Sequence, residues 1–213
     1  MTTRIIDATK DHAEFIAWVS LAAARSHLPR GFWDFFIPDE RERMTYLTRL
    51  AATTTPHPFH HSMFLVAEVD GRPAAGMCGF FEEENGFAVL GSVMPEVDRA
   101  LGRPPEAGQE GMARLGPFMT VTPEHPPRAW IVENVATLPE FRRRGLVARL
   151  MDAMLERGVA RGAGLSDIGV FIGNDSAQLA YEKAGYRMVS EKRSDELERT
   201  WGTPGIRLLR RAY

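Results

Sequence analysis

The sequence predicts a single α/β domain, and three observations carry that reading. The chain has 213 residues, beyond the usual single-domain mode but within the reach of one α/β domain with insertions. Its composition, 44% hydrophobic and 25% charged, is that of a globular chain able to bury a sizeable core. Apolar, β-compatible runs are interleaved with segments whose apolar residues recur at helical spacing.

The elements follow in order. Residues 3 to 8 read as a short strand. Asp11 can cap a helix carrying Phe15, Ile16, Val19 and Leu21, which Pro29 and Gly31 end. Past the aromatic stretch from Phe32 to Phe36, Pro38 and Asp39 open a second helix with Met44, Leu47 and Leu50, running to about Ala52. Residues 63 to 69 and 74 to 81 are strands joined through Asp70 and Gly71, the favoured two-residue hairpin signal. Residues 82 to 128 are rich in glycine and proline and read as an insertion, with 86 to 93 as an extra strand. Residues 129 to 138 form a strand. A turn then leads into a helix from about Gly145, with Leu146, Leu150, Met151, Met154, Leu155 and Val159 on one face and Gly162 and Gly164 at its end. A strand at 167 to 172, a helix at 176 to 184 capped by Gly185, and strands at 186 to 191 and 206 to 212 complete the chain.

Composition also limits function. Lysine and arginine total 26 against 28 acids, a formal net charge of -2, so no bulk field favours nucleic acid or an anionic membrane. Neither is expected as a partner, and any anion site must be local. Cys78 is the only cysteine, which excludes an intrachain disulfide and fits a reducing, cytoplasmic setting. The first residues lack a signal peptide's apolar stretch, and no run approaches the roughly 20 apolar residues that span a bilayer.

Two stretches carry chemistry. Strand, arginine-rich turn and helix place backbone N–H groups at a helix N-terminus, where the macrodipole and unpaired donors favour a phosphate. Arg142, Arg143 and Arg144 add positive charge there, and Gly145 permits close backbone approach; the alternative is a solvated basic turn. Downstream, Asn174 and Tyr181 stand seven residues apart, about two helical turns, so both can look toward one cleft. Alternatively, Asn174 caps a helix and Tyr181 packs on the surface.

In this order, about 30 residues apart, the two stretches resemble the GNAT acetyltransferase superfamily, whose signature is Arg/Gln-x-x-Gly-x-Gly/Ala followed by Asn-x6-Tyr-x-Lys-x-Gly-Phe/Tyr. Here they are Arg142-Arg143-Arg144-Gly145-Leu146-Val147 and the run from Asn174 through Tyr181, Lys183 and Gly185 to Tyr186. The departure is Val147, where the family carries Gly or Ala; its β-branched side chain can crowd the pyrophosphate or the next strand while its N–H stays available. The resemblance is specific over residues 129 to 190 and leaves 82 to 128 uncovered.

The resemblance implies a mixed, mostly antiparallel sheet flanked by helices, with the strands at 129 to 138 and 167 to 172 splayed apart for the pantetheine arm of acetyl-CoA. It implies N-acetyltransfer to a primary amine of a small molecule or peptide, with CoA held by Arg142 to Val147 and Asn174. Tyr181 is then the acid that protonates the leaving thiolate, and backbone N–H groups of Val135, Ala136 and Thr137 face the oxyanion. Glu133 is the general-base candidate, against a plain strand-surface glutamate. Phe32 and Trp33 are candidates for the acceptor wall, with core packing the alternative. Glu82, in a run of three acids, is a candidate for attracting a cationic amine, with a solvated strand end the alternative.

Other readings compete. His57, His60 and His61 invite a metal, but Pro56 and Pro58 keep one regular helix from presenting them together, so no metal is expected. Cys78 reads as a small core residue. The rivals to the enzyme are a catalytically silent acyl-CoA sensor and, against the net charge, a nucleic-acid module built on the three arginines. The acceptor's identity and the oligomeric state, a homodimer among the options, carry no signal in the sequence.

Overall fold

Seven strands form one sheet: β1 (Thr3–Asp7), β2 (Phe64–Val69), β3 (Arg72–Phe81), β4 (Ala129–Thr137), β5 (Leu165–Phe171), β6 (Arg187–Arg193) and β7 (Gly205–Ala212). The computed structural model describes residues 2–213. The spatial order is β1-β2-β3-β4-β5-β7-β6, and among the described residues β4 and β5 are the parallel pair while every other neighbour is antiparallel. The expected mixed, mostly antiparallel sheet flanked by helices is present. At the β2–β3 hairpin, Asp70 (φ 50°) and Gly71 (φ 79°) both adopt the left-handed backbone that a tight two-residue turn requires.

Helices α1 (Ala13–Arg25), α2 (Phe32–Phe36) and α3 (Glu40–Ala51) precede β2; α4 (Glu82–Asn85), α5 (Phe87–Ala100), α6 (Ala107–Arg114) and α7 (Gly116–Met119) lie between β3 and β4. Helices α8 (Leu146–Ala160), α9 (Asp175–Lys183) and α10 (Asp195–Trp201) alternate with the late strands. Helix α8 lays Leu146, Leu150, Met151 and Met154 on one sheet face, against Phe81, Trp130, Val132 and Ile168. Its approach is close: a Cβ at Gly79 would lie 2.5 Å from the Met154 sulfur, and one at Gly158 2.7 Å from the Trp130 ring. On the opposite face Ile16 and Val19 of α1 pack against Phe64, Val66, Phe80 and Ile131. Each such buried side chain contributes about 1.5–3 kcal/mol of transfer free energy.

A third cluster joins α2 and α3 to the segment between β3 and β4 through Trp33, Phe36, Tyr46, Leu50, Leu90, Val93, Val97 and Leu115. Here the structure corrects the sequence reading. Residues 86 to 93 form the start of helix α5 rather than a strand, because Leu90, Val93 and Val97 fall on one helical face and are buried together. Three smaller readings also change: α2 and α10 were not anticipated, His12 rather than Asp11 occupies the N-cap of α1, and Val159 is half exposed. Asp39 does cap α3, accepting from the Glu42 N–H at 2.7 Å.

The segment's two ends are clamped together. Glu83 accepts from the backbone N–H of Arg128 at 3.0 Å, and Glu84 pairs with the Arg128 and Arg161 guanidiniums. Two of the three acids read as a solvated run therefore pin residues 82 to 128 to the rim of the sheet. Among the described residues no helix is long and apolar enough to cross a membrane.

Candidate active site

The ladder between β4 and β5 is short. It holds from Ala129↔Leu165 to Val132↔Ile168 and then stops, although β4 runs on to Thr137 and β5 to Phe171. The cause is visible in β4. Its register against β3 shifts between Gly76 and Cys78, where Asn134 has φ 53°, and such a bulge bends its strand and ends pairing. The Asn134 amide donates to the Cys78 sulfur at 3.4 Å, which holds the bulge down. From Glu133 to Thr137 the β4 edge toward β5 has no strand partner, and these residues, all buried up to Val132, become half-exposed. The two strands splay where the sequence reading required a gap.

Glu133 opens the unpaired stretch and stands opposite Cys78. Although the residue as a whole is half-exposed, desolvation of its carboxyl, with the Glu82 carboxylate adding to it and His125 opposing, pushes its proton affinity up to about 7. A carboxyl in that range can exchange a proton near neutral pH. Val135, Ala136 and Thr137 follow along the open edge, and the Thr137 hydroxyl is buried without a hydrogen-bond partner among the described residues.

The turn before α8 is exposed at Arg142, Arg143, Arg144 and Gly145. Arg143 (φ 61°) and Gly145 (φ 72°) are both left-handed, and α8 has no side-chain cap, so its first N–H groups are left for a ligand or solvent. Left-handed Gly145 followed by the right-handed first residues of α8 turns successive N–H groups toward one concavity, the geometry of an anion nest. A Cβ at Gly145 would meet nothing within 4 Å, so the glycine serves backbone conformation and leaves open space above the turn. Arg142 and Arg144 donate to the carbonyls of Thr137 and Glu140, which steadies the turn against β4. Leu146 is buried, and Val147 is half-buried against the same core cluster.

Beyond β5, Asn174 caps α9: its side-chain oxygen accepts from the Ala177 N–H at 3.2 Å. Its amide donates to the Ser26 hydroxyl at 2.6 Å, tying the end of α1 to the end of β5. Tyr181 is buried in the cluster that also holds Val132, Val135 and Val147, and burial raises its phenol above the ordinary value. The phenol therefore stays protonated at neutral pH.

The acceptor-side candidates are more deeply engaged. Trp33 is fully buried, edge-on to Phe59 at 4.9 Å and to Phe36, while Phe32 is half-buried against Trp33 and Phe118. The Glu82 carboxylate accepts from the Phe87 N–H at 2.9 Å and so caps α5. The histidines knit the loop after α3: His57 meets Thr53 and the Phe59 N–H, His60 meets Ser62 and the Thr53 carbonyl, and His61 meets the Ala51 carbonyl.

One group in the site carried no sequence signal. His125, in the stretch leading to β4, hydrogen-bonds Asp167 of β5 at 2.9 Å, and Arg210 of β7 grips the same carboxylate at 2.7 and 2.8 Å. Its neighbours Pro123, Pro126 and Pro127 give no periodicity from which its direction could be read.

Residues 110–186 match the acetyltransferase (GNAT) family. The GNAT match runs from α6 through the splay, the arginine turn and α9 to Tyr186. Solved structures share the fold over nearly the whole chain. One acetyltransferase has a TM-score of 0.72 at 21% identity, with 98% of each chain covered. An N-acetyltransferase from Staphylococcus aureus Mu50 has a TM-score of 0.66 at 16% identity, covering 97% of this chain and 99% of that one. The ribosomal-protein-S18-alanine N-acetyltransferase from Escherichia coli has a TM-score of 0.53 at 11% identity, covering 99% and 94%. The comparison with curated proteins gives no match. Residues 110–186 thus carry a GNAT family match within a fold that solved acetyltransferases share.

Proposed function

We propose that the chain is an acetyl-CoA-dependent N-acetyltransferase, moving the acetyl group to a primary amine of a small molecule or a protein by direct attack. The observation that carries this reading is the end of the β4–β5 ladder at Val132↔Ile168, directly upstream of an open nest at the start of α8. The residues fit acetyl-CoA: two left-handed positions, free helix N–H groups and three exposed arginines suit a pyrophosphate, and the open β4 edge with the unpartnered Thr137 hydroxyl suits an amide-bearing arm.

Bound there, acetyl-CoA supplies an acyl group activated as a thioester. The backbone of Arg143 to Val147 and the arginine side chains hold the phosphates. Asn174 acts through its cap, fixing the loop at the end of β5. N–H groups among Val135, Ala136 and Thr137 polarise the carbonyl, and Glu133 accepts the proton from the attacking amine, directly or through water. Tyr181, protonated at neutral pH, donates to the departing sulfur. Phe32 lines the acceptor side with Trp33 behind it, and Glu82 adds negative charge near Glu133 that favours a cationic amine.

Thiol release from acetyl-CoA over a panel of primary amines, small polyamines and peptide N-termini tests the reading. Amine-dependent release is expected, falling about 10²–10⁴-fold in Tyr181→Phe with acetyl-CoA binding retained. Tight binding with silence toward every amine would instead identify an acyl-CoA sensor, and unchanged turnover in Tyr181→Phe would remove that residue from the mechanism.

A further inference from the structure

We infer that Ser26, the residue that ends α1, is a positioning residue for acetyl transfer: it clasps Asn174 across the open end of the splay and so fixes α9, with Tyr181, relative to β4. The clasp stands on geometry alone; its consequence for turnover rests on the acetyl-transfer reading.

The clasp joins the two halves of the sheet where the ladder no longer does. Helix α1 is seated on the β1–β4 half, with Ile16 and Val19 packed on Phe64, Val66, Phe80 and Ile131. A Cβ at Gly76 of β3 would lie only 3.0 Å from the Val19 side chain. Strand β5 parts from β4 after Val132↔Ile168 and ends at Phe171. Just beyond that end, the Asn174 amide donates to the Ser26 hydroxyl at 2.6 Å. Beside it His27 lies over Gly173, so closely that a Cβ on the glycine would be 3.0 Å from the His27 Nε2. The C-terminus of α1 therefore spans the opening and is held to the β5 side at two adjacent points.

The same bond decides which way the Asn174 amide faces. With its nitrogen on Ser26, its oxygen is left to accept from the Ala177 N–H at 3.2 Å and the Ser176 hydroxyl at 3.1 Å, the cap that starts α9. Tyr181 stands about two helical turns further along α9, buried against Val132, Val135 and Val147. A rotation of the cap is thus carried to the phenol.

The backbone of Ser26 points the same way. Its φ of 57° and ψ of -118° lie outside the left-handed helical region, where glycine sits without strain and a residue with a Cβ does not. Helices that end at positive φ usually do so on glycine, as α10 does at Gly202 with φ 83°. A strained side-chain-bearing residue persists where its surroundings over-determine it. What glycine would lack here is the hydroxyl that receives Asn174 and also reaches the His27 Nδ1 at 3.4 Å.

Two variants separate the hydroxyl from the backbone. Ser26→Gly and Ser26→Ala both remove the hydroxyl, but glycine alone relieves the strain, so Ser26→Gly is expected to melt about 2–4 °C above Ser26→Ala. Turnover should nevertheless fall alike in both: kcat by about tenfold to a hundredfold toward any amine the wild type acetylates, with acetyl-CoA affinity held within about threefold, because the phosphates are held at the turn before α8. In the ligand-free protein, hydrogen exchange at the Ala177 amide should quicken about threefold to tenfold in both variants while α8 is unchanged. Wild-type kcat in Ser26→Gly, unchanged exchange at Ala177, or a kcat that follows melting temperature across the two variants overturns the inference and leaves Ser26 a plain helix end. Quickened exchange at Ala177 in a protein whose wild type acetylates no amine upholds the clasp and removes the acetyl-transfer reading instead.

Discussion

At the scale of single residues, the site divides into groups that local sequence can announce and groups it cannot. Tyr181, Asn174 and the arginines were legible because each sits at a fixed offset from a glycine or helix boundary within one strand–turn–helix unit. Glu133 was legible as a type and a position, but its character was not: its raised proton affinity comes from burial beside Glu82, across two strands. That character makes a prediction. With a carboxyl titrating at about 7, kcat/KM should fall tenfold per pH unit below neutrality, because the protonated form cannot accept the amine's proton. A pH–rate profile of Glu133→Gln should lose this limb along with most of the rate; a profile keeping the wild-type limb would remove Glu133 from the role of base. His125 was illegible because its partner Asp167 is 42 residues away on another element.

At the scale of elements, strong periodicity made β4, α8 and the β2–β3 hairpin readable, whereas α5 was hidden by its own composition. Gly86, Gly91 and Pro95 read as breakers, and only burial against α2 and α3 favours the helix. The short helices α2 and α10 depend in the same way on distant partners. Trp201 is stacked between Phe35 at 4.4 Å and Phe118 at 5.2 Å, contacts that no local pattern reports. The bulge at Asn134 exists only relative to β3, so the splay could be anticipated by resemblance and not by propensity. The loop after α3 makes its own prediction. His57 is fully buried, and desolvation, reinforced by His60, lowers its proton affinity to about 4. An unfolded histidine titrates near 6.5, so the unfolded state binds the extra proton first. The loop's contribution is therefore fully present above about pH 6.5 and is lost as pH falls toward 4, by up to about 3 kcal/mol. Urea denaturation from pH 7 to 4.5 should show this loss, and His57→Gln should flatten it; a parallel decline in the variant would assign the acid sensitivity to other groups.

At the scale of the whole molecule, one sheet is built from two halves that meet along four residue pairs, and everything attributed to the site depends on the opening they leave. The chain's slightly acidic balance makes the local concentration of Arg142, Arg143 and Arg144 over the start of α8 a property of that place and not of the surface at large. The most direct measurement is calorimetric titration of acetyl-CoA into the ligand-free protein, beside Gly145→Val, which forces a β-branched residue into left-handed backbone where no neighbouring atom would clash. The account predicts saturable one-to-one binding to the wild type, weakened at least tenfold in a Gly145→Val protein that still folds. Absence of binding to the wild type, or equal binding by the folded variant, would contradict it.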